Sequence, residues 1–115
     1  MRSGAFLLAA VTLGSGGCEK SCQNTCQRVF DATECAVIIP GQNEEDLEQE
    51  CTAECEEALQ HAGPMGVYDP YIGDRPDQPD ELENERQAAA WMECVWAVEC
   101  PDLVVPGNSC HPIGI

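Results

Sequence analysis

Apolar positions along this chain recur at α-helical spacing in three separate stretches. In the first, Cys22, Cys26, Val29, Phe30 and Thr33 share a face, with Lys20, Gln23, Gln27, Arg28 and Asp31 mostly elsewhere, which predicts a helix over about 19–37. In the second, Leu47, Cys51, Cys55, Ala58, Leu59 and Ala62 trace a stripe over about 44–62. Asn43 is its expected N-cap, Glu44 and Glu45 suit the positive helix end, and Gly63-Pro64 should stop it. The third, about 80–98, is expected to start at Pro79-Asp80 with Asp77 or Asp80 as cap. Its second half, AAAWMECVWAVEC, is apolar over most of its circumference, with Trp91, Val95 and Val98 in one stripe. Such a helix is expected to be buried on several sides, with both tryptophans in the packing. The segment 63–78 (GPMGVYDPYIGDRPDQ) has no period and reads as a loop, and 101–115 reads as an extended tail. Packing back on the helices is the favoured fate of Tyr68 and Tyr71, against an exposed recognition edge.

The cysteines turn this pattern into a topology. Cys22 and Cys26 (CQNTC) and Cys51 and Cys55 (CTAEC) form two Cys-x3-Cys pairs, each on one helix face at about 6 Å spacing. Folding the two helices antiparallel places Cys22 beside Cys55 and Cys26 beside Cys51. The same register sets Phe30 against Leu47 and centres the turn on Ile38-Ile39-Pro40-Gly41. Cys35 would lie about 180° around the helix from Cys26, facing away from this seam. Cys94 and Cys100 share a helix at an angle that forbids a bridge between them. Two connectivities remain for the last four cysteines. Cys35–Cys94 with Cys100–Cys110 is preferred, and Cys35–Cys100 with Cys94–Cys110 is the other. The expected class is all-α: a stapled helical hairpin plus a third helix.

A fourth apolar run has a different meaning. Met1-Arg2 is followed by the nine-residue run Ala5–Leu13 (AFLLAAVTL), too short to span a bilayer, and then by Gly14-Ser15-Gly16-Gly17. This pattern predicts a signal peptide over 1–17 and a single domain over 18–115. Small residues leading directly into Cys18 resemble the cleavage site of bacterial lipoprotein precursors. That resemblance implies a lipid on Cys18 and attachment to a membrane through it. Ser15 stands where that family prefers an aliphatic residue, and ordinary cleavage after Gly17, giving a freely secreted protein, is the alternative. Nine cysteines are an odd number; setting Cys18 aside leaves eight, enough for four disulfides. The twin Cys-x3-Cys pairs also resemble those of the small translocase chaperones of the mitochondrial intermembrane space. The likeness covers Cys22, Cys26, Cys51 and Cys55, and it implies the hairpin geometry alone. The longer separation of the pairs, the export signal, the third helix and the four extra cysteines depart from that family.

Charge and motif content then narrow the chemistry. From Cys18 onward the four basic residues Lys20, Arg28, Arg75 and Arg86 face all 21 acidic ones, a net charge of −17. Such a field repels nucleic acid and opposes compaction, so a small exported domain needs covalent staples. In that context disulfides outrank a zinc site built from the twin pairs, and no metal or cofactor is expected. Asp69, Asp74, Asp77 and Asp80 do not match a calcium-loop spacing. His61 has no ligating neighbour at helical spacing and is expected to serve the negative end of its helix. No Cys-x-x-Cys is present, and Cys110-His111 adjacency makes no catalytic dyad, so no enzyme activity is expected. The expected function is an extracytoplasmic, lipid-tethered binding or structural module. A secreted inhibitor or effector is the alternative, with a metal carrier or enzyme ranked below both. A protein partner is expected through the 63–78 loop and the third helix.

Overall fold

Ser21 opens the first helix by accepting a hydrogen bond from the Asn24 N–H at 3.1 Å. In the computed structural model, which describes residues 20–72, 77, 79–103 and 109–112, this helix (α1) spans Cys22–Phe30. The expected signal peptide, Cys18 and parts of the 63–78 loop and of the tail lie outside the described residues. Cys22, Thr25, Cys26, Val29 and Phe30 form the buried face of α1.

This helix is shorter than its apolar spacing predicts, and Asp31 explains why. Its carboxylate accepts from both the Thr33 hydroxyl, at 2.5 Å, and the Thr33 N–H, at 2.7 Å. Such a local turn competes with helical bonding. The two Thr33 bonds, the hydroxyl's first, also hold the Asp31 carboxyl below the ordinary range. Beyond it the chain doubles back, with the Cys35 and Val37 N–H groups donating to the Arg28 and Val29 carbonyls at 2.9 and 2.8 Å. Cys35 therefore leaves from a return loop rather than from the far side of a long helix. Pro40 and Gly41 make the hairpin turn closed by Gln42 N–H to the Ile39 carbonyl at 3.1 Å. Gly41 has φ +88°, the left-handed value that position requires.

Helix α2 spans Glu44–Leu59, capped as expected by the Asn43 side chain, which accepts from Asp46 N–H at 2.8 Å. It ends three residues before the expected 62, and Leu59 is exposed rather than in the seam. Gly63 has a different role from stopping the helix. A Cβ there would come within 2.7 Å of the Asn84 side chain, whose Nδ2 donates to the Pro64 carbonyl. Only a glycine allows that approach.

Asn84 is also the true start of α3 (Glu85–Ala97), accepting from Gln87 N–H at 3.1 Å, so neither Asp77 nor Asp80 is the cap. The Gln87 side chain reaches back to the Glu83 N–H at 2.9 Å, in the manner of a capping box. Its Nε2 donates to the Met65 carbonyl, which satisfies a buried amide. The buried face of α3 is Gln87, Ala88, Trp91, Met92, Cys94 and Val95. Trp96 is 40% exposed, so the helix is one-sided rather than buried around its circumference.

Each helix packs on the other two, and no strand occurs among the described residues, giving a small all-α, disulfide-stapled domain. Two disulfides, Cys22–Cys55 and Cys26–Cys51, join α1 to α2 with Cα separations of 5.7 and 5.9 Å. The other two correct the preferred pairing: Cys35 bonds Cys100, and Cys94 bonds Cys110. The reason lies in the tail, which starts as a 3-10 turn over Cys100–Leu103 that buries Leu103 to 1% exposure. That turn brings Cys100 to the return loop after α1. Cys110 lies against α3, where its carbonyl accepts from Trp91 Nε1 at 3.1 Å and its N–H donates to the Pro70 carbonyl. Tyr68 is buried beside it, donating to the His111 carbonyl at 2.7 Å, and burial pushes its phenol well above the usual range. Tyr71 remains exposed.

The C-terminal end of α3 has no basic residue of its own, and Arg28 of α1 supplies one. Its Nε and Nη2 donate to the Val95 and Val98 carbonyls at 2.9 and 2.8 Å, groups that a helix end leaves unsatisfied. The guanidinium also lies 5.3 Å from the centre of the Trp96 ring, whose Nε1 donates to Thr25 Oγ1 at 3.0 Å. Arg28→Ala should lower stability in urea unfolding by about 2 kcal/mol, the usual value of charge-assisted bonds. Arg28→Lys should recover only part of it, because an ammonium lacks the fork that spans two carbonyls. Replacing Cys94 and Cys110 together by Ala should shift Trp91 emission to the red in a Trp96→Phe background. The same change at Cys35 and Cys100 should leave that emission largely in place.

Candidate functional site

The early end of α1 leaves an open groove beside the α1–α2 seam. Val29 and Phe30 of α1, Leu47 of α2 and Trp91 lie at its base, almost fully buried, with half-buried Leu82 beside them, and its volume is about 330 Å³. Two of the four disulfides border it through Cys51 and Cys55, so its wall is covalently fixed. Pro112 of the tail completes the lining. Phe30 and Leu47, expected to pair, line the same recess and are both buried.

Carboxylates surround the apolar interior. Glu50 and Glu54, one turn apart on α2, and Asp80 and Glu81, before α3, line the same groove. Burial, then the charges of Glu81 and Glu50, push the Glu54 carboxyl above its ordinary range. No described Lys or Arg lies within ion-pair distance of any of the four. Arg28 is engaged at the α3 terminus.

A second acidic group lies at the start of α2, where carboxylate oxygens of Asp31, Glu44 and Glu48 approach within 4.8 Å of one another. Oxygen ligands of this kind suit a hard cation. The Ala32 N–H donates to Glu44 Oε2 at 3.4 Å, and burial, followed by Glu44 and Asp31, raises the Glu48 carboxyl. A chain of −16 net charge gathers exposed carboxylates by composition alone, so no ion is assigned here.

The eight cysteines expected to form disulfides, Cys22, Cys26, Cys35, Cys51, Cys55, Cys94, Cys100 and Cys110, are all bonded. Cys110 therefore offers no thiol to His111. His61 lies just past the end of α2 with its Nε2 2.8 Å from Glu57 Oε2. Within the surface expected to meet a partner, Val67, Tyr71 and Ile72 of the loop and Trp96 of α3 are exposed. That surface meets the groove through Asp80, Glu81, Leu82 and Trp91, but the α1–α2 side of the groove lies outside the expectation. Its elements were separately visible: a Phe30–Leu47 pair, and glutamates at one-turn spacing on the neighbouring face of α2. The placement of 80–82 over them depends on where α3 begins.

The chain matches no protein-family model, no curated protein and no solved structure. Four disulfides in one small domain indicate an oxidising, extracytoplasmic environment. Among the described residues, no helix is long and apolar enough to cross a membrane.

The raised Glu54 carboxyl makes stability depend on pH. Between the ordinary value and the raised one, the folded state holds more protons, so stability falls as pH rises through that window. Glu54→Gln should therefore stabilise the domain at pH 7 by up to about 0.5 kcal/mol, within the range of surface substitutions. The gain should vanish below about pH 4, where the glutamate is protonated in both states. Urea midpoints at the two pH values check this.

Proposed function

We propose that this protein is an extracytoplasmic binding module, tethered to a membrane by a lipid on Cys18, and that it performs no catalysis. The observation that carries the reading is the groove, with apolar side chains at its base and a wall fixed by disulfides. A concavity of this volume, with a polar rim over a few apolar groups, is the kind of recess in which a ligand binds. The eight cysteines of the described domain are held in disulfides and serve as its scaffold.

Support for the tether comes from the sequence and from cysteine parity. Eight of nine cysteines pair among themselves, which sets Cys18 apart, directly after a run of small residues. Ser15, in a position where lipoprotein precursors prefer an aliphatic residue, favours the second reading of a secreted binding protein. Membrane fractionation with a fatty-acid analogue separates the two. In the lipoprotein, the wild-type chain partitions with membranes and incorporates label, and Cys18→Ser moves to the aqueous fraction without label. Unchanged membrane association of Cys18→Ser would sink the tether.

A further inference from the structure

The geometry points to a specific occupant for the groove. It is an extended basic segment of a partner protein, with one apolar side chain against Leu82, above the buried Phe30, Leu47 and Trp91, and flanking lysines or arginines against Glu50, Glu54, Asp80 and Glu81. This deepens the reading of the domain as a binding module and rests on it.

Charge complementarity selects this occupant. An anionic ligand would enter a field of four carboxylates, and a neutral apolar one would bury them further without relief. The mutual opposition of Glu54, Glu81 and Glu50 is unrelieved within the described protein. Of the described basic residues, Arg28 serves the end of α3, and neither Lys20 nor Arg86 lines the groove. Charge alone is not the signal, because acidic residues cover the whole surface. The signal is their position around a recess with half-buried Leu82 at its side and Phe30, Leu47 and Trp91 at its base, which suits both kinds of side chain in one ligand. A single amine cannot meet this demand. Glu50 and Glu54 stand a turn apart on α2, and Asp80 and Glu81 come from a different segment, so cations must be offered at more than one point. A short peptide stretch does so while placing one aliphatic or aromatic group at the base.

The oxidised full chain carrying Cys18→Ser is titrated against a fluorescein-labelled Lys-Leu-Lys-Phe-Lys peptide, with anisotropy as readout. Fractionation tests the tether and this titration tests the occupant, so either can fail alone. Binding is expected to weaken with salt. It should also weaken roughly tenfold in the triple variant Glu50→Gln, Glu54→Gln, Glu81→Gln. The control triple variant Glu56→Gln, Glu93→Gln, Glu99→Gln has the same net charge but alters exposed positions outside the groove, and should bind within about twofold of the parent. A peptide with Leu and Phe replaced by Ser should bind much more weakly, and one with Glu for Lys not at all. Circular dichroism and disulfide mapping establish that each variant is folded. Equal binding by both triple variants, or by the serine peptide, would reduce the effect to general attraction and overturn the proposal. It would equally be overturned if binding emerged only after removing residues 113–115 or replacing Arg75, since the chain would then fill its own groove. Self-association abolished by the groove variant would assign the site to a second copy and overturn it as well.

Discussion

Two cystines between α1 and α2, one helical turn apart, set the frame on which everything else is hung. Residues 18–115 carry a net charge of −17, which opposes every degree of compaction, and the core is small. Closing the Cys26–Cys51 ring, 25 positions apart, removes about 3 kcal/mol of unfolded-state freedom by loop-closure entropy. Cys22–Cys55 adds less entropy but fixes the rotation of one helix against the other. With both in place the helices have one register, and Phe30 must lie by Leu47. α3 then has a defined surface to cover.

The third helix is held mostly by parts of the chain that are not helical. Asn84 and Gly63 lock its start to the end of α2, and Arg28 satisfies its last carbonyls from α1. Its middle is bonded through Cys94 to Cys110, and the Trp91 indole donates to the carbonyl of that same residue. Tyr68, Leu103 and Cys110 come from loop or tail segments and are all buried. Three short helices cannot enclose enough apolar surface by themselves at this size, so connecting segments become core and are pinned by bonds to backbone carbonyls.

The hairpin was legible because it depends on local periodicity and on a register that four cysteines over-determine. The C-terminal half was less legible, for identifiable reasons. Helix α1 ends at Asp31 because a two-residue side-chain turn outcompetes a favourable apolar pattern, and periodicity has no term for that competition. Asn84 with Gln87 was a readable capping pair, but Pro79 and Asp80 offered a plausible earlier start. That error of a few residues hid the placement of Asp80, Glu81 and Leu82 over α2, and with it the groove. The pairing of Cys35 with Cys100 required knowing that the tail begins as a 3-10 turn around Leu103. Trp96 shows the limit of composition, since an apolar stretch can place a tryptophan at the edge when a cation and a hydroxyl await it there.

The acidic composition and the open groove have a common physical origin. Moving the 80–82 segment further over α2 would bury more of Leu82 and close the recess. It would also press Glu81 towards Glu54 and Glu50, whose charges already oppose one another, with Glu54 partly desolvated. Hydrophobic burial and carboxylate repulsion therefore act on this segment in opposite directions. The α1–α2 wall cannot yield to resolve the conflict, because the two cystines fix it. A cation between the opposing carboxylates changes the balance: it turns repulsion into attraction at the rim, and an apolar group beneath it supplies the burial that the protein cannot achieve unaided. The staples thus let the domain tolerate a charge distribution that a free chain would relax, and they hold the recess in place.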